Sequence, residues 1–315
     1  MATRTATASS STGSGPPAAY PTGWKDSDDA VFHADGTLPA PPIALCEVQG
    51  YVYEARLKAA MIAEALGCCE EALQLREAAQ RLKARFHEAF WREEIQCYAI
   101  ALDGSKQPCR IRSSNAGQCL FTDIAKPEAA ARIGADLLGE AFFTGWGIRT
   151  MASTEARYNP MSCHDGSIWP HDNALIAAGL ARYGFHEASI RILSALFDAS
   201  QFLDLNRLPE LYCGFRRRRG EGPTLYPVAC NPQAWSSAAV FLLLQAGLGP
   251  HIDAAARKIY FNSPRLPESI ETLEIRSLKV AAGLVDMVLT RHAQDMAVNV
   301  RHRAGGLEVV AVQKG

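Results

Sequence analysis

Residues 158–184 read YNPMSCHDGSIWPHDNALIAAGLARYG, and the two halves of this run have different chemistry. The first half, to Asn173, is crowded with aromatic, imidazole, carboxylate and amide side chains and is broken by Pro160, Gly166 and Pro170, as in a long structured connection. A helix is expected over 168–184, and its segment 174–181 is apolar around almost the whole circumference. A helix with no polar face has to be surrounded by other helices. The stretch 238–244, inside a helix expected at 231–248, has the same property. Two such inner helices call for an outer layer, and segments 70–92 and 186–204 carry the amphipathic pattern it needs. In the first of these, Leu75, Ala79, Leu82, Phe86 and Phe90 form one stripe with charges opposite.

The helical pattern extends toward the N-terminus. Leu45, Val48, Val52, Ala55, Ala59, Ile62 and Leu66 recur at alternating steps of three and four, which places them on one face of a helix ended by Gly67. This helix and 70–92 form an αα-hairpin. Residues 98–102 read as a short strand closed by the turn Asp103-Gly104, and further helices are expected at about 113–123 and 126–138, with short connections that make antiparallel neighbours. Beyond about 250 the period changes to two-residue alternation in 273–280, 285–289, 296–300 and 307–312, with Ala304-Gly305-Gly306 as a turn. A small antiparallel β-unit at 251–315 is therefore expected after an all-α region at 23–250. Residues 1–22 are mostly Ala, Ser, Thr, Gly and Pro, a composition expected to form a disordered leader because it buries too little apolar surface to fold.

The 315 residues are 48% hydrophobic and 21% charged, ample material for a globular core. The formal net charge of −1 offers no long-range field for nucleic acid or an anionic membrane, so a neutral substrate fits better. The nine cysteines show no C-x-x-C spacing, and several, Cys46 and Cys119 among them, lie inside apolar helical patterns. That is the usage of reduced, buried thiols. With no continuous apolar stretch near the N-terminus for a signal peptide or membrane span, a cytoplasmic protein is expected. His164 and His171 are not at i, i+4 spacing and lack an evident third ligand, so no metal or other cofactor is expected. The run Arg216 to Arg219 reads as a solvated loop.

Candidate chemistry lies in the connections. Trp24, Lys25, Asp26, Ser27, Asp28 and Asp29 follow Gly23; Trp146 and Arg149 occupy a second connection; His164, Asp165, Trp169, His171 and Asp172 a third. Glu210 stands in the fourth, Leu208-Pro209-Glu210-Leu211-Tyr212, and Gln233 and Trp235 in the fifth. Aromatic faces can stack on the C–H surface of a pyranose and polar side chains can take its hydroxyls, while two carboxyl groups can supply acid and base for glycosidic cleavage. The bland reading of Trp169, His171, Asp172 and Asn173 is that they cap and staple the helix they begin.

Four stretches carry a family resemblance: 23–29, the helix start Ala44-Leu45-Cys46-Glu47-Val48-Gln49-Gly50-Tyr51, 158–173 and 208–235. Through them the chain resembles, over about 23–313, bacterial proteins of the amylo-α-1,6-glucosidase or glycogen-debranching-like kind. Their catalytic domain is similar to that of mannosylglycerate hydrolase. The resemblance implies a mainly α protein, an (α/α)6 toroid of the six-hairpin glycosidase type. The seven helices expected here fall about five short of the twelve in a closed ring. Relatives also place a β-rich domain and the first barrel helices ahead of Trp-Lys-Asp-Ser, so the toroid is expected to be N-terminally truncated and incomplete. The helices at 43–66 and 231–248 should then expose apolar faces that favour self-association.

The function implied is a glycoside hydrolase that inverts the anomeric centre of α-glucosidic or related small glycosides. Matched by motif, Asp26 is the general acid, with Asp28 as its rival, and Glu210 is the general base; inversion needs roughly 6.5–9.5 Å between the carboxyls. The expected carbohydrate contacts are Trp24, Lys25, Asp28, Glu47, Gln49, Tyr51, Trp146, Arg149, His164, Asp165, Trp169, His171, Asp172, Gln233 and Trp235. Relatives usually carry an amide where this chain has Asp165. The alternative is a catalytically inactive remnant or carbohydrate-binding module of the same fold. A sugar epimerase on an α/α toroid is a third, more distant reading.

Overall fold

The computed structural model describes residues 23–292 and 296–312; the leader expected at 1–22 lies outside the described residues. Strand β1 (Ala44–Leu45) leads into α1 (Cys46–Ala65), and α2 (Cys69–Phe90) follows. Four short strands come next, β2 (Trp91–Arg92), β3 (Cys97–Tyr98), β4 (Ala101–Leu102) and β5 (Pro108–Cys109). Then come α3 (Asn115–Phe121), α4 (Pro127–Leu137), α5 (Pro170–Arg182), α6 (His186–Ser200) and α7 (Ala234–Leu248). Strands β6 (Pro250–Asp253), β7 (Lys258–Asn262), β8 (Thr272–Val280), β9 (Gly283–Arg291), β10 (Met296–Ala304) and β11 (Glu308–Val312) follow. All seven helices lie where the apolar periodicities predict them.

The helices form two layers. α1, α3, α5 and α7 pack side by side in that order, and α2, α4 and α6 lie against α1, α3 and α5. The row is tight where α3 meets α5. A Cβ on Gly179 would come 2.5 Å from the amide nitrogen of Phe121, and one on Gly117 would come 2.6 Å from Ile176 Cγ1, so only glycine permits this approach. α2 turns Ala79, Phe86 and Phe90 into the core, as its stripe predicts. This alternation of inner and outer helices is that of a helical-toroid-related fold. Seven helices occur among the described residues, so a complete twelve-helix ring is not present among them.

Several expectations need correction. On α1 the buried residues are Cys46, Glu47, Gly50, Tyr53, Ala60 and Ala63, whereas Ile62 and Leu66 of the expected stripe are 62% and 74% exposed. The small side chains Ala60 and Ala63 pack closely on Ala72 of α2, and close approach outweighs side-chain size in choosing the inner face. On α7, Ala239 and Leu243 are buried, but Phe241 is 75% exposed; its packing partners are α5 and α6, which leave its other side open. The strand expected at 98–102 is divided. β3 pairs with β2, and β4 pairs with β1 and β5, because Ala99 bonds back to Phe90 while Ile100 turns to Cys109 and Cys46.

The C-terminal β-unit is two three-stranded sheets, β8-β9-β10 and β6-β7-β11. The first is antiparallel throughout, with Val285, Met287 and Leu289 of β9 facing inward at period two. The second departs from the expected antiparallel order, since β11 runs parallel to β7. Strands β6 and β7 lie outside the predicted segments.

Candidate active site

The first turns of the inner helices meet in one place. They carry Glu47 on α1, Asn115 on α3, His171 and Asp172 on α5, and Trp235 on α7. Gln118 Nε2 donates to Asp172 Oδ1 at 2.6 Å, and the Tyr51 hydroxyl donates to Gln118 Oε1. Lys25 is buried among Asp165, Asp172 and Glu47, and its Nζ donates to the Thr150 carbonyl at 3.0 Å. Thr150 accepts the Gly166 N–H at its hydroxyl and the Ser114 N–H at its carbonyl, so Lys25 ties segment 23–29 to the second and third connections.

Burial dominates the electrostatics of this layer. It raises Glu47 and Asp172 above the usual carboxylate range and lowers Lys25, while the Lys25 ammonium opposes the rise in both carboxyls. Asp165 is pushed up to about 6, again by burial first and against Lys25. Glu47 and Asp172 are fully buried beside the amide of Asn115 and the hydroxyl of Ser114, and Asp165 Oδ1 is buried without a hydrogen-bond partner. So dense a set of buried titratable groups with shifted ionisation is more characteristic of functional sites than of a structural core.

Above this layer stands an aromatic wall. His171 stacks on Trp235 with ring centroids 3.8 Å apart and His164 stacks on Trp169 at 5.2 Å. Trp24 meets His164, Trp169 and His171 edge-on at 5.1–5.7 Å. Trp169 is locked by its Nε1–H, which donates to the Cys163 carbonyl at 2.7 Å. Burial lowers both His164 and His171 to about 4, so both rings are neutral at pH 7.

Asp26 and Glu210 flank this wall. The Asp26 carboxylate is 87% exposed and its Oδ1 lies 3.6 Å from His164 Nε2, while Ser27 Oγ lies 2.6 Å from His164 Nδ1. Glu210 is anchored by the Cys230 N–H at 3.0 Å and Gln233 Nε2 at 3.4 Å. Cys163 is raised to about 11 by burial first and then by the charges of Glu210 and Asp26, and both carboxylates also act on His164. Both carboxylates therefore lie near the same short stretch of the third connection. Asp28 is also exposed, and the charge of Asp29 acts on His164 as well.

Two residues expected to touch carbohydrate, Arg149 and Trp146, are buried. Arg149 is 3% exposed and spends its guanidinium on the carbonyls of Gly214, Glu140 and Ala141. Trp146 is 2% exposed, with Arg217 over its ring at 4.3 Å and Phe202 against it. Glu47, Lys25 and Asp172 belong to the buried layer, and Gln49 donates to the Leu45 carbonyl of its own helix start. Conversely, Asn115 and Gln118 join the site without having been expected there. Their one sequence signal is a pair of amides inside a short, otherwise apolar helix.

Among the described residues no group of three His, Cys, Asp or Glu is arranged to hold a metal ion, and no helix is long and apolar enough to cross a membrane. Inner and outer helices with an aromatic and carboxylate cluster at one end of the inner row define a helical-toroid-related fold. The family model of the mannosylglycerate hydrolase MGH1-like glycoside hydrolase domain matches residues 21–212, and the chain belongs to that family. A search of curated proteins finds no match.

Among solved structures, the GH78 family rhamnosidase of Bacillus sp. GL1 aligns at TM-score 0.63 and 16% identity, covering 89% of this chain and 27% of that one. The neutral trehalase of Saccharomyces cerevisiae aligns at 0.53 and 15% identity, covering 70% and 41%. The GH63 mannosylglycerate hydrolase of Thermus thermophilus, in complex with Tris and D-glycerate, aligns at 0.50 and 19% identity over 64% of this chain. The chain spans 46% of the length of that hydrolase. At these identities the likeness is one of fold.

Proposed function

We propose that this chain is an inverting glycoside hydrolase of α-glucosidic or related small glycosides, of the amylo-α-1,6-glucosidase-like kind, with Asp26 as general acid and Glu210 as general base. The observation that carries this reading is the placement of Asp26 beside His164 and of Glu210 on Cys230 and Gln233, near a wall of Trp24, Trp169, His171 and Trp235. In this mechanism the pyranose stacks on the exposed part of the wall. Asp26 gives its proton to the glycosidic oxygen as the bond to the anomeric carbon breaks. Glu210 takes a proton from a water that attacks the opposite face, and the released sugar has the inverted configuration. Neutral His164, held by Ser27, lies beside Asp26. Five buried free cysteines, Cys46, Cys97, Cys109, Cys119 and Cys213, support a reducing, cytoplasmic setting.

The test is proton NMR of the first sugar formed from isomaltose, trehalose and mannosylglycerate, with Glu210→Gln and Asp26→Asn alongside. Inverted product and losses of about 10²–10⁴-fold in kcat are expected. Retention of configuration, or full activity in both variants, would refute the assignment. Sugar binding without release of product would favour a carbohydrate-binding module instead.

A further inference from the structure

Glu210 is held from a single segment, residues 230–233. Its N–H donates to the Cys230 carbonyl at 2.9 Å, the Cys230 N–H donates to Oε2 at 3.0 Å, and Gln233 Nε2 reaches Oε1 at 3.4 Å. Gln233 is itself fixed at the start of α7. Its Oε1 accepts the Ala234 N–H at 2.7 Å as the N-cap, and its carbonyl accepts the amide and the hydroxyl of Ser237, each at 3.0 Å. Two residues on, Trp235 stacks on His171. A single side-chain amide thus couples the carboxylate to the helix that carries one end of the aromatic wall.

We infer that Gln233 is a positioning residue for Glu210 rather than a carbohydrate contact. Each carboxylate oxygen has one N–H donor, so the group is fixed in rotation and presents its remaining lone pairs in a constant direction to the water it deprotonates. The inference rests on the reading of Glu210 as general base. Capping alone asks only for a short side-chain oxygen, which Ser supplies as well as Gln or better. Contact with Glu210 needs the longer side chain and a neutral N–H donor.

The probe is α-D-glucosyl fluoride, whose fluoride leaves with little help from a general acid, so that its hydrolysis reports chiefly on the base. The parent, Glu210→Gln, Gln233→Ser and Gln233→Glu are compared by fluoride release across pH, with thermal melts by circular dichroism. Glu210→Gln should lose about 100-fold or more in kcat. Gln233→Ser, its cap retained, should melt like the parent and keep KM within about twofold while kcat falls about tenfold or more. Gln233→Glu, similar in size, places a carboxylate beside Glu210, and the acid limb of its kcat profile should move up by about one pH unit or more. If Glu210→Gln is inactive while both Gln233 variants keep the parental kcat and acid limb, Gln233 only caps the helix and the inference is wrong. If the parent releases no fluoride, or Glu210→Gln equals it, the reading of Glu210 has failed and the inference falls with it.

Discussion

Replacing Asp165 by Asn should stabilise the protein at pH 8 and have a steadily smaller effect as the pH falls from 6 toward 4. The side chain is 3% exposed, its Oδ1 has no hydrogen-bond partner, and burial pushes its pKa from 3.8 to about 6 in spite of the Lys25 ammonium nearby. A carboxyl raised in the folded state favours folding fully below the unfolded value, and that contribution is lost as pH rises through the folded value. The rise from 3.8 to about 6 corresponds to roughly 3 kcal/mol for the ionised form at pH 8. Asn carries no such penalty at any pH. A gain of roughly 1–3 kcal/mol at pH 8 is expected, the lower figure allowing for the cost of burying the amide's own polar atoms. Urea unfolding at pH 4, 5, 6, 7 and 8 measures it, with a midpoint shift on the order of 0.5–1 M at the alkaline end. A variant destabilised at pH 8 would mean that attraction to Lys25 outweighs desolvation, and the reasoning would be refuted.

Gly179→Ala should cost about 1–3 kcal/mol, because its Cβ would lie 2.5 Å from the Phe121 amide nitrogen and α3 would have to move off α5; an unchanged melting temperature would contradict the close crossing. The apolar residues exposed on α1 and α7, Ile62, Leu66 and Phe241, should drive concentration-dependent self-association visible by light scattering. The double variant Leu66→Glu, Phe241→Glu should reduce it, and a monodisperse parent at about 100 μM, where apolar contact of this kind should be populated, would count against it.

What the sequence alone determined were the positions of the helices and the residue types in the connections between them. Both are local properties. The stripe Ala79, Phe86, Phe90 buries as its period requires, and the connections rich in Trp, His and carboxylate supply the wall and its flanking acids. Tertiary structure decided which faces and atoms are used. Ile62 and Leu66 are more hydrophobic than Ala60 and Ala63, yet the alanines are buried, because close helix approach selects small side chains and periodicity does not encode distance. Arg149 and Trp146 are packed by neighbours remote in sequence, Gly214 and Arg217, which the sequence does not reveal. Asn115 and Gln118 enter the site only because α3 lies between α1 and α5. The parallel pairing of β11 with β7 depends on the return path of the chain past β8, β9 and β10, a long-range property that strand alternation does not carry.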